Sequence, residues 1–383
     1  MGKLFQYLGM PCLLPFIFLW YVLAYVAAIL MTMTVVPSVL LAKRLYWAVP
    51  FIPHIWKAQG PVLGNYMKIS FEASYCINVL KRMLTLPLRR QLPEFYIVGF
   101  PKAGTTSLAN HLKTHPAIDG LAGLPWHETL SKESHFFNGV FGPDTASSER
   151  LYRSFFPTVF RRWWAETIRG VDKWMCFDAC PVPGCLPFTA ERISNMTPNA
   201  KIIFMLRDPT SGVFSAEVML RNMGVPLSWS LMEEAVEEDP RFMDLKEDKK
   251  MWEKLENLKP NDPLPEDFPQ FFYMRMASYL KSGCYAERIE PFLRHFPRDN
   301  LMFIDFKEFV ENTEEVVKEV LDFVGADAGR YKYKKLPAGM KTLYKGRRIH
   351  PSVKERLAEY FRDSNNKLYS LLGRDFHWGD VES

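Results

Sequence analysis

The chain has 383 residues, of which 48% are hydrophobic and 24% charged, so it can bury the core of one large or two small domains. A formal net charge of +5 without a dense Lys/Arg block does not favour a nucleic-acid partner, but it suits a small anionic ligand. Six cysteines without a CxxC pair indicate neither a zinc framework nor a disulfide scaffold. Cys176, Cys180 and Cys185 are interpreted as buried or singly bridged rather than as metal ligands.

The first predicted element is a membrane anchor over residues 1–44. Residues 4–42 contain no charged side chain, and 16–36 form an apolar helix candidate between Pro15 and Pro37. This run is long enough to cross a hydrocarbon core of ~30 Å. It exceeds the roughly 7–15 apolar residues of a cleaved signal peptide. The sequence therefore predicts a transmembrane or membrane-dipping helix, followed by a connector over residues 45–92 that lies at the membrane interface.

The orientation of this anchor is left open by the flanking charges. Lys3 precedes the apolar run, whereas Lys43, Arg44 and Lys57 follow it. The positive-inside rule then favours a cytosolic C-terminal side. The oligomeric state is equally open.

Residues 93–383 are predicted to form the globular domain. Apolar runs predict strands at 95–100, 200–208 and 300–309, and residues 105–113 predict a helix. Strands that alternate with helices are typical of a parallel sheet. We therefore expect a three-layer α/β fold with a P-loop-like parallel sheet flanked by helices. Residues 233–266 are highly charged and rich in proline, and they are interpreted as a solvated insertion.

The stretch "FYIVGFPKAGTTSLANHL", residues 95–112, carries the first functional signal. A strand that turns tightly into a helix offers free backbone N–H groups and the positive end of a helix dipole. Lys102 adds a charge, Gly104 permits close approach of the backbone, and three hydroxyl side chains follow. The pattern predicts a site for phosphate or a similar anion. It is not a Walker A motif, because the lysine precedes the glycine, and a magnesium-dependent kinase is therefore disfavoured.

Three motifs resemble the sulfotransferases that use 3′-phosphoadenosine 5′-phosphosulfate (PAPS). "PKAGTTSL" resembles the loop that binds the 5′-phosphosulfate, and "LRDPTSGVFSAEV" resembles the strand and helix that hold the 3′-phosphate through Arg207 and Ser215. "KGRRIHP", residues 345–351, resembles the C-terminal cofactor loop. The cofactor-binding residues implied by the resemblance are Lys102, Ala103, Gly104, Thr105, Thr106, Ser107, Arg207, Ser215, Lys345, Gly346 and Arg347.

Within that family the chain is most similar to the glycosaminoglycan-type branch, which includes heparan sulfate 3-O-sulfotransferases and the sulfotransferase domain of heparan N-deacetylase/N-sulfotransferase. "KESHFF", "YRSFFP", "FLRHFPRDNLMFID" and "LYSLLGRDFHW" follow one another in the order of that branch. The resemblance covers about residues 93–378. It agrees with the chemistry of PAPS, whose two anionic ends each require cations and hydroxyl donors.

The resemblance also implies the catalytic groups. Glu133 is the expected base for the acceptor hydroxyl, and Lys102 is expected to stabilise charge on the leaving oxygen. His135 is the second candidate for the base. In an extended segment it would face the same side as Glu133 and would then orient that carboxylate or the acceptor. No metal is implied.

Two positions depart from the heparan 3-O branch. Asn138 stands where that branch has Asp, and Ala179 stands where it has a lysine before Thr-Pro. The missing cation puts a heparin-like polyanionic acceptor in doubt but leaves PAPS binding unaffected. Asp178 is interpreted as a buried capping residue. "FRRWWAETIR", residues 160–169, is interpreted as an amphipathic surface helix with buried tryptophans rather than as an acceptor cleft.

The sequence therefore predicts a membrane-anchored, single-pass sulfotransferase that uses PAPS, releases 3′-phosphoadenosine 5′-phosphate (PAP) and acts on a hydroxyl of a carbohydrate or lipid-like acceptor. The resemblance implies Golgi residence, and Asn195 is then a candidate for glycosylation. One alternative is a cytosol-facing enzyme that acts on a lipid or small alcohol. Another is a membrane protein that binds PAPS or PAP without catalysis.

Overall fold

The computed structural model describes residues 91–121, 132–140, 155–222, 246–259, 276–336 and 346–378, together with residues 23, 149, 152–153, 227, 230–231, 262, 265 and 344. The strands are β1 (Phe95–Gly99), β2 (Ile118–Asp119), β3 (Met175–Asp178), β4 (Lys201–Leu206) and β5 (Leu301–Asp305). The helices in the first half of the chain are α1 (Thr105–Leu112), α2 (Val159–Trp163), α3 (Thr189–Met196) and α4 (Pro209–Asn222). Those in the second half are α5 (Lys246–Glu256), α6 (Met276–Gly283), α7 (Tyr285–His295), α8 (Phe306–Glu311), α9 (Thr313–Val324) and α10 (Pro351–Leu372).

The five strands form one parallel sheet in the order β2-β3-β1-β4-β5. The parallel α/β prediction is confirmed, as are the strands within 95–100 and 200–208. The strand predicted over 300–309 is too long. It ends at Asp305, because that side chain accepts a hydrogen bond from the Lys307 backbone N–H and begins α8. An N-cap of this kind stabilises a helix start in place of further strand.

Alternate residues of β1 face two separate hydrophobic cores, which gives the sheet helices on both sides. Tyr96 and Val98 belong to the core that includes residues of α3, α7 and α10. Phe95 and Ile97 belong to the core that includes residues of α1 and α9. The three-layer arrangement is therefore confirmed.

Helix α5 lies within the segment that the sequence indicated to be a solvated insertion. Met251, Trp252 and Leu255 of this helix are buried in the larger core. Their spacing places them on one face, while the charged residues between them occupy the other face. The solvated interpretation is therefore wrong for α5. The predicted domain boundaries stay predictions.

Helix α2 continues as a π-helical turn, Trp164–Ile168. Trp163 is only half-buried and Trp164 is 42% exposed, so the expectation of buried tryptophans is wrong. Cys176, Cys180 and Cys185 are buried free thiols.

The predicted membrane anchor lies outside the described residues, apart from Leu23. Within the part of the chain that the structure describes, no helix combines the length and the apolar character needed to span a bilayer.

Candidate active site

The loop between β1 and α1, residues 100–104, turns sharply because two of its residues have left-handed backbone angles. Lys102 has a φ of 66° and Gly104 a φ of 87°, a region that glycine adopts more readily than other residues. The Ala103 N–H donates to the Phe100 carbonyl at 3.2 Å. Helix α1 then begins at Thr105, and the N–H groups of its first turn have no acceptor within the helix. The predicted strand-turn-helix is confirmed, with its potential anion donors at the C-terminal end of β1.

The predicted loop residues differ in their exposure. Lys102 and Ser107 are half-buried, whereas Ala103, Thr105 and Thr106 are buried. Gly104 packs closely against Phe306, because a Cβ atom there would lie 3.0 Å from the ring. The loop therefore has one packed side and one side that presents Lys102.

Lys102 lies among cations. Its Nζ donates to the Met219 sulfur at 3.4 Å. Burial, together with the charges of Arg207 and Lys132, lowers the pKa of Lys102 to about 8. Like charges gathered in a partly buried site favour an anionic ligand, since such a ligand relieves their repulsion.

Arg207 follows β4 directly and binds the same loop. Its Nη1 donates to the Lys102 carbonyl at 3.0 Å, and its guanidinium packs over the Phe306 ring at 4.8 Å. The carboxylate of the neighbouring Asp208 accepts from the backbone N–H groups of Thr210 and Ser211 at 3.1 Å and thereby caps α4. The structure thus brings Arg207 and Lys102 together at the carboxyl ends of β4 and β1.

Ser215 lies on α4, whereas Arg347 contacts the C-terminal end of that helix, so the two residues are not adjacent. Ser215 is 1% exposed. Arg347 donates from Nη1 to the Asn222 side-chain oxygen at 2.8 Å, about 10 Å further along the helix. Gly346 has a φ of 77°, so the loop turns beside α4. Lys345 lies outside the described residues.

Glu133 lies in a buried charge cluster that sequence reasoning only partly anticipated. Its Oε2 lies 3.1 Å from His135 Nε2. The expected contact is therefore present, but His135 has a left-handed φ of 51°, so the segment is not extended as predicted. Glu133 Oε1 accepts a hydrogen bond from Lys132, a residue that was not predicted. Burial raises the pKa of Glu133, but Lys132 and then His135 outweigh it and lower the pKa to about 2.

Lys132 is 1% exposed, and its ammonium also donates to the Ala179 carbonyl at 3.2 Å. The sequence signal was the lysine that opens "KESHFF". In an extended segment adjacent side chains face opposite sides, which does not predict a contact between Lys132 and Glu133. A lysine stem is long enough to reach back to its neighbour.

Asp178 fixes this segment to the end of β3. Its carboxylate accepts from the Ser134 backbone N–H at 3.2 Å, from the Ser134 hydroxyl and from the Tyr152 hydroxyl at 3.0 Å. The Ala179 N–H donates to the Lys132 carbonyl at 2.9 Å. The interpretation of Asp178 as a buried capping residue is confirmed.

His135 has contacts at both ring nitrogens. Nδ1 lies 3.5 Å from Cys180 Sγ and 3.0 Å from the Asn138 amide nitrogen. Burial opposes the charged ring, but the Cys180 sulfur and the Glu133 carboxylate outweigh it, so the pKa of His135 lies well above its usual value. The Asn138 amide nitrogen can only donate, so Nδ1 accepts from it while the Nε2–H donates to Glu133. Both ring nitrogens are therefore occupied, and neither is free to take the acceptor proton.

Glu133, His135 and Cys180 also place three donor atoms of metal-binding type within 4.8 Å of one another. The Lys132 ammonium already occupies one Glu133 oxygen, and its charge disfavours a cation there. The expectation of a reaction without metal stays a prediction.

Comparison with known proteins shows which enzymes this chain resembles. The sulfotransferase domain family matches residues 185–338, which include β4, Arg207, Ser215 and β5 but neither Lys102 nor Glu133. Human heparan sulfate glucosamine 3-O-sulfotransferase 6 is 25% identical over 315 residues, which cover 76% of this chain and 75% of that protein.

Two further relatives extend this comparison. Mouse bifunctional heparan sulfate N-deacetylase/N-sulfotransferase 4 is 26% identical over 74% of this chain and 30% of its own length. The membrane-associated sulfotransferase kil1 of Dictyostelium discoideum is 25% identical over 80% of this chain and 69% of its own length. The resemblance to the glycosaminoglycan-type branch and the enzyme class, a sulfotransferase, are confirmed.

Proposed function

We propose that this sulfotransferase transfers a sulfuryl group from PAPS to a hydroxyl of a carbohydrate acceptor, with Glu133 as the base. The observation that carries the proposal is that two sites lie next to each other at the carboxyl ends of the strands. One is a cationic loop with Lys102 and Arg207, and the other is the largely buried carboxylate of Glu133. They are neighbours because Lys132 bonds to Ala179, which follows β3, and β3 lies beside β1 in the sheet.

The residues present suit PAPS. The first-turn N–H groups of α1 and the Lys102 ammonium suit the 5′-phosphosulfate. The Arg207 guanidinium suits the 3′-phosphate, with Ser215 on the following helix. A small, half-open apolar depression lies between the loop and α4; its lining includes Phe100, Pro101, Pro209, Val213, Ala216 and Tyr285.

The contacts favour Glu133 over His135 as the base. A carboxyl with a pKa of about 2 is ionised throughout the neutral range, whereas both ring nitrogens of His135 already contact Glu133, Asn138 and Cys180. We infer that His135 and Lys132 hold the Glu133 carboxylate in place and that Glu133 takes the acceptor proton.

The proposed reaction is an in-line displacement at sulfur. The acceptor oxygen bonds to sulfur while the bond between sulfur and the phosphate oxygen of PAP breaks. The hydroxyl proton moves to Glu133, and the charge left on the phosphate oxygen is stabilised by Lys102.

A carbohydrate acceptor is favoured by the relatives, two of which are named as enzymes of heparan sulfate. Lys132 does not replace the cation missing at Ala179 for a polyanion, because its ammonium is buried and bonded to Glu133. We therefore propose a carbohydrate hydroxyl without assigning a heparin-like polymer. A lipid or small alcohol is the alternative.

Membrane attachment through residues 1–44 is part of the proposal. It is supported by the uncharged run 4–42 and by the relative described as membrane-associated. Residence in the Golgi follows from the glycosaminoglycan-type branch, and attachment at the cytosolic face is the alternative.

A panel of acceptors tests this proposal. The full chain is incubated with sulfur-35-labelled PAPS and separate polysaccharides, glycolipids, sterols and small alcohols. We expect label in a polysaccharide fraction. Label confined to a lipid or small alcohol would overturn the acceptor class. PAP binding without any labelled product would favour the non-catalytic alternative.

A further inference from the structure

Three apolar side chains form an exposed stripe on α2 and the π-helical turn that continues it. Phe160, Trp164 and Ile168 are 37%, 42% and 54% exposed, and their spacing of four residues places them along one helix face. The Phe160 ring also lies 5.4 Å from the ring of Trp163. We call Phe160, Trp164 and Ile168 the Trp164 stripe. A row of large apolar side chains at the surface marks a contact with another apolar phase or partner.

The segment that precedes the domain joins it beside this stripe. The Gln91 backbone N–H donates to the Pro157 carbonyl at 3.5 Å, two residues before α2 begins. The ninety residues before Gln91 contain the uncharged run 4–42 and end in the basic stretch "LKRMLTLPLRR". The proposed anchor and its basic connector therefore lead to the helix that carries the stripe.

The charges around the stripe suit a phospholipid surface. Arg161 and Arg162 flank it and remain partly exposed while paired with Asp119 and Glu166 at 2.7 and 2.8 Å. Arg169 follows at the exposed end of the turn. Aromatic side chains next to arginines are typical of segments that lie in the headgroup region of a bilayer.

The stripe and the candidate active site lie near opposite ends of β3. Arg161 pairs with Asp119, which ends β2 and lies beside Cys176 in the sheet, and the Trp174 N–H donates to Glu166 at 3.2 Å, so α2 is tied to the start of β3. Lys102, Arg207 and Ala179, in contrast, follow the carboxyl ends of β1, β4 and β3. In a parallel sheet all strands run the same way, and a five-residue strand spans about 17 Å.

We propose that the Trp164 stripe rests in the headgroup region of the bilayer to which the chain is attached. This rests on the proposed membrane attachment. The active site then opens away from that bilayer toward the aqueous phase. This orientation selects acceptor hydroxyls on soluble or extended carbohydrate and excludes hydroxyls at the surface of the same bilayer.

Photocrosslinking tests this placement. The full chain carries p-benzoylphenylalanine in place of Phe160, Trp164 or, as the control, Val310. Val310 is 59% exposed and lies on α8, directly after the carboxyl end of β5. Each variant is reconstituted into vesicles of phosphatidylcholine and phosphatidylserine and irradiated, and lipid adducts are measured by peptide mass spectrometry.

We expect lipid adducts at positions 160 and 164 at least about tenfold above those at position 310. Adducts mainly at 310 would reverse the orientation. Crosslinks from 160 and 164 to residues 45–90 or to a second copy, without lipid, would assign the stripe to a protein contact and overturn the proposal. Failure of the chain to bind vesicles would overturn membrane attachment. Lipid adducts from a chain without sulfuryl transfer would leave the stripe supported while the proposed function fails.

Discussion

His135 Nε2 lies 3.1 Å from Glu133 Oε2, and the ring's other nitrogen contacts Cys180 and Asn138. The imidazole ring is thus held between the carboxylate and two side chains from the same end of the sheet. These contacts identify His135 as a positioning residue, because both of its ring nitrogens are already occupied.

Replacement of His135 by glutamine distinguishes positioning from catalysis. Glutamine retains one N–H donor but has no titratable group. We expect His135→Gln to lower kcat by about tenfold, against the roughly 10²- to 10⁴-fold contribution of a general base. Steady-state kinetics measure the loss, and unchanged affinity for PAP serves as the folding control. A loss equal to that of Glu133→Gln would instead make His135 the base.

Lys132 controls the protonation of Glu133. Its charge is the largest influence that lowers the pKa of this carboxyl, against a burial that raises it. Lys132→Met should therefore raise the pKa of Glu133, and kcat should begin to fall at a higher pH as the pH is lowered. The measurement is kcat from pH 5 to 8 at saturating PAPS.

Lys318→Met is the matched control for Lys132, because Lys318 forms an exposed pair with Glu314 on α9. Its pH profile should match that of the unmodified chain. If kcat of Lys132→Met falls at the same low pH as kcat of the unmodified chain, Lys132 does not lower the pKa of the base.

Deprotonation of Lys102 should weaken the use of PAPS at alkaline pH. Burial lowers its pKa to about 8 in the free protein, and only the ammonium form stabilises the anion. The value of kcat/KM for PAPS should therefore fall as pH rises through about 8. In Lys102→Arg the guanidinium stays charged, so this fall in kcat/KM should disappear. If kcat/KM fell in the same way in both proteins, the titrating group would not be Lys102.

Gly104 links the loop to the Arg207 site through Phe306. In Gly104→Ala the φ of 87° costs about 1–2 kcal/mol of unfolding free energy. The new Cβ also presses on the Phe306 ring beneath the Arg207 guanidinium. We expect PAP affinity to fall about tenfold, or ~1.4 kcal/mol, as measured by calorimetry.

Gly170→Ala supplies the control for Gly104. Gly170 has a φ of 62°, and a Cβ there meets nothing within 4 Å. It should lose comparable stability but keep its affinity for PAP. Equal losses of affinity in the two variants would contradict the proposed coupling through Phe306.

The sequence revealed the strands that are long apolar runs and missed those that are short. The runs of β1 and β4 are buried on both faces and were predicted. Strand β3, Met175–Asp178, has only four residues and ends in an aspartate. Its existence depends on parallel pairing with β1 and β2, which no local pattern contains. Helix α8 was read as strand because the cap formed by Asp305 was overlooked.

Contacts in the candidate site could be predicted where the two residues are close in sequence. Glu133 and His135 are two residues apart and meet as predicted, although His135 has a left-handed φ of 51° rather than an extended backbone. The contact of Lys132 with Ala179, by contrast, joins residues 47 positions apart. Likewise, the placement of Arg347 at Asn222 depends on the packing of the C-terminal loop against α4. Such contacts are fixed by tertiary structure.

The most direct test of the central claim is single-turnover transfer of sulfur-35 from saturating PAPS to the acceptor that the panel identifies. Glu133→Gln is compared with Glu314→Gln, which alters an exposed pair on α9. The account predicts that Glu133→Gln slows transfer by about 10²-fold or more with PAP affinity intact, while Glu314→Gln transfers at the normal rate. Transfer by Glu133→Gln at the rate of the unmodified chain would contradict the assignment of Glu133 as the base.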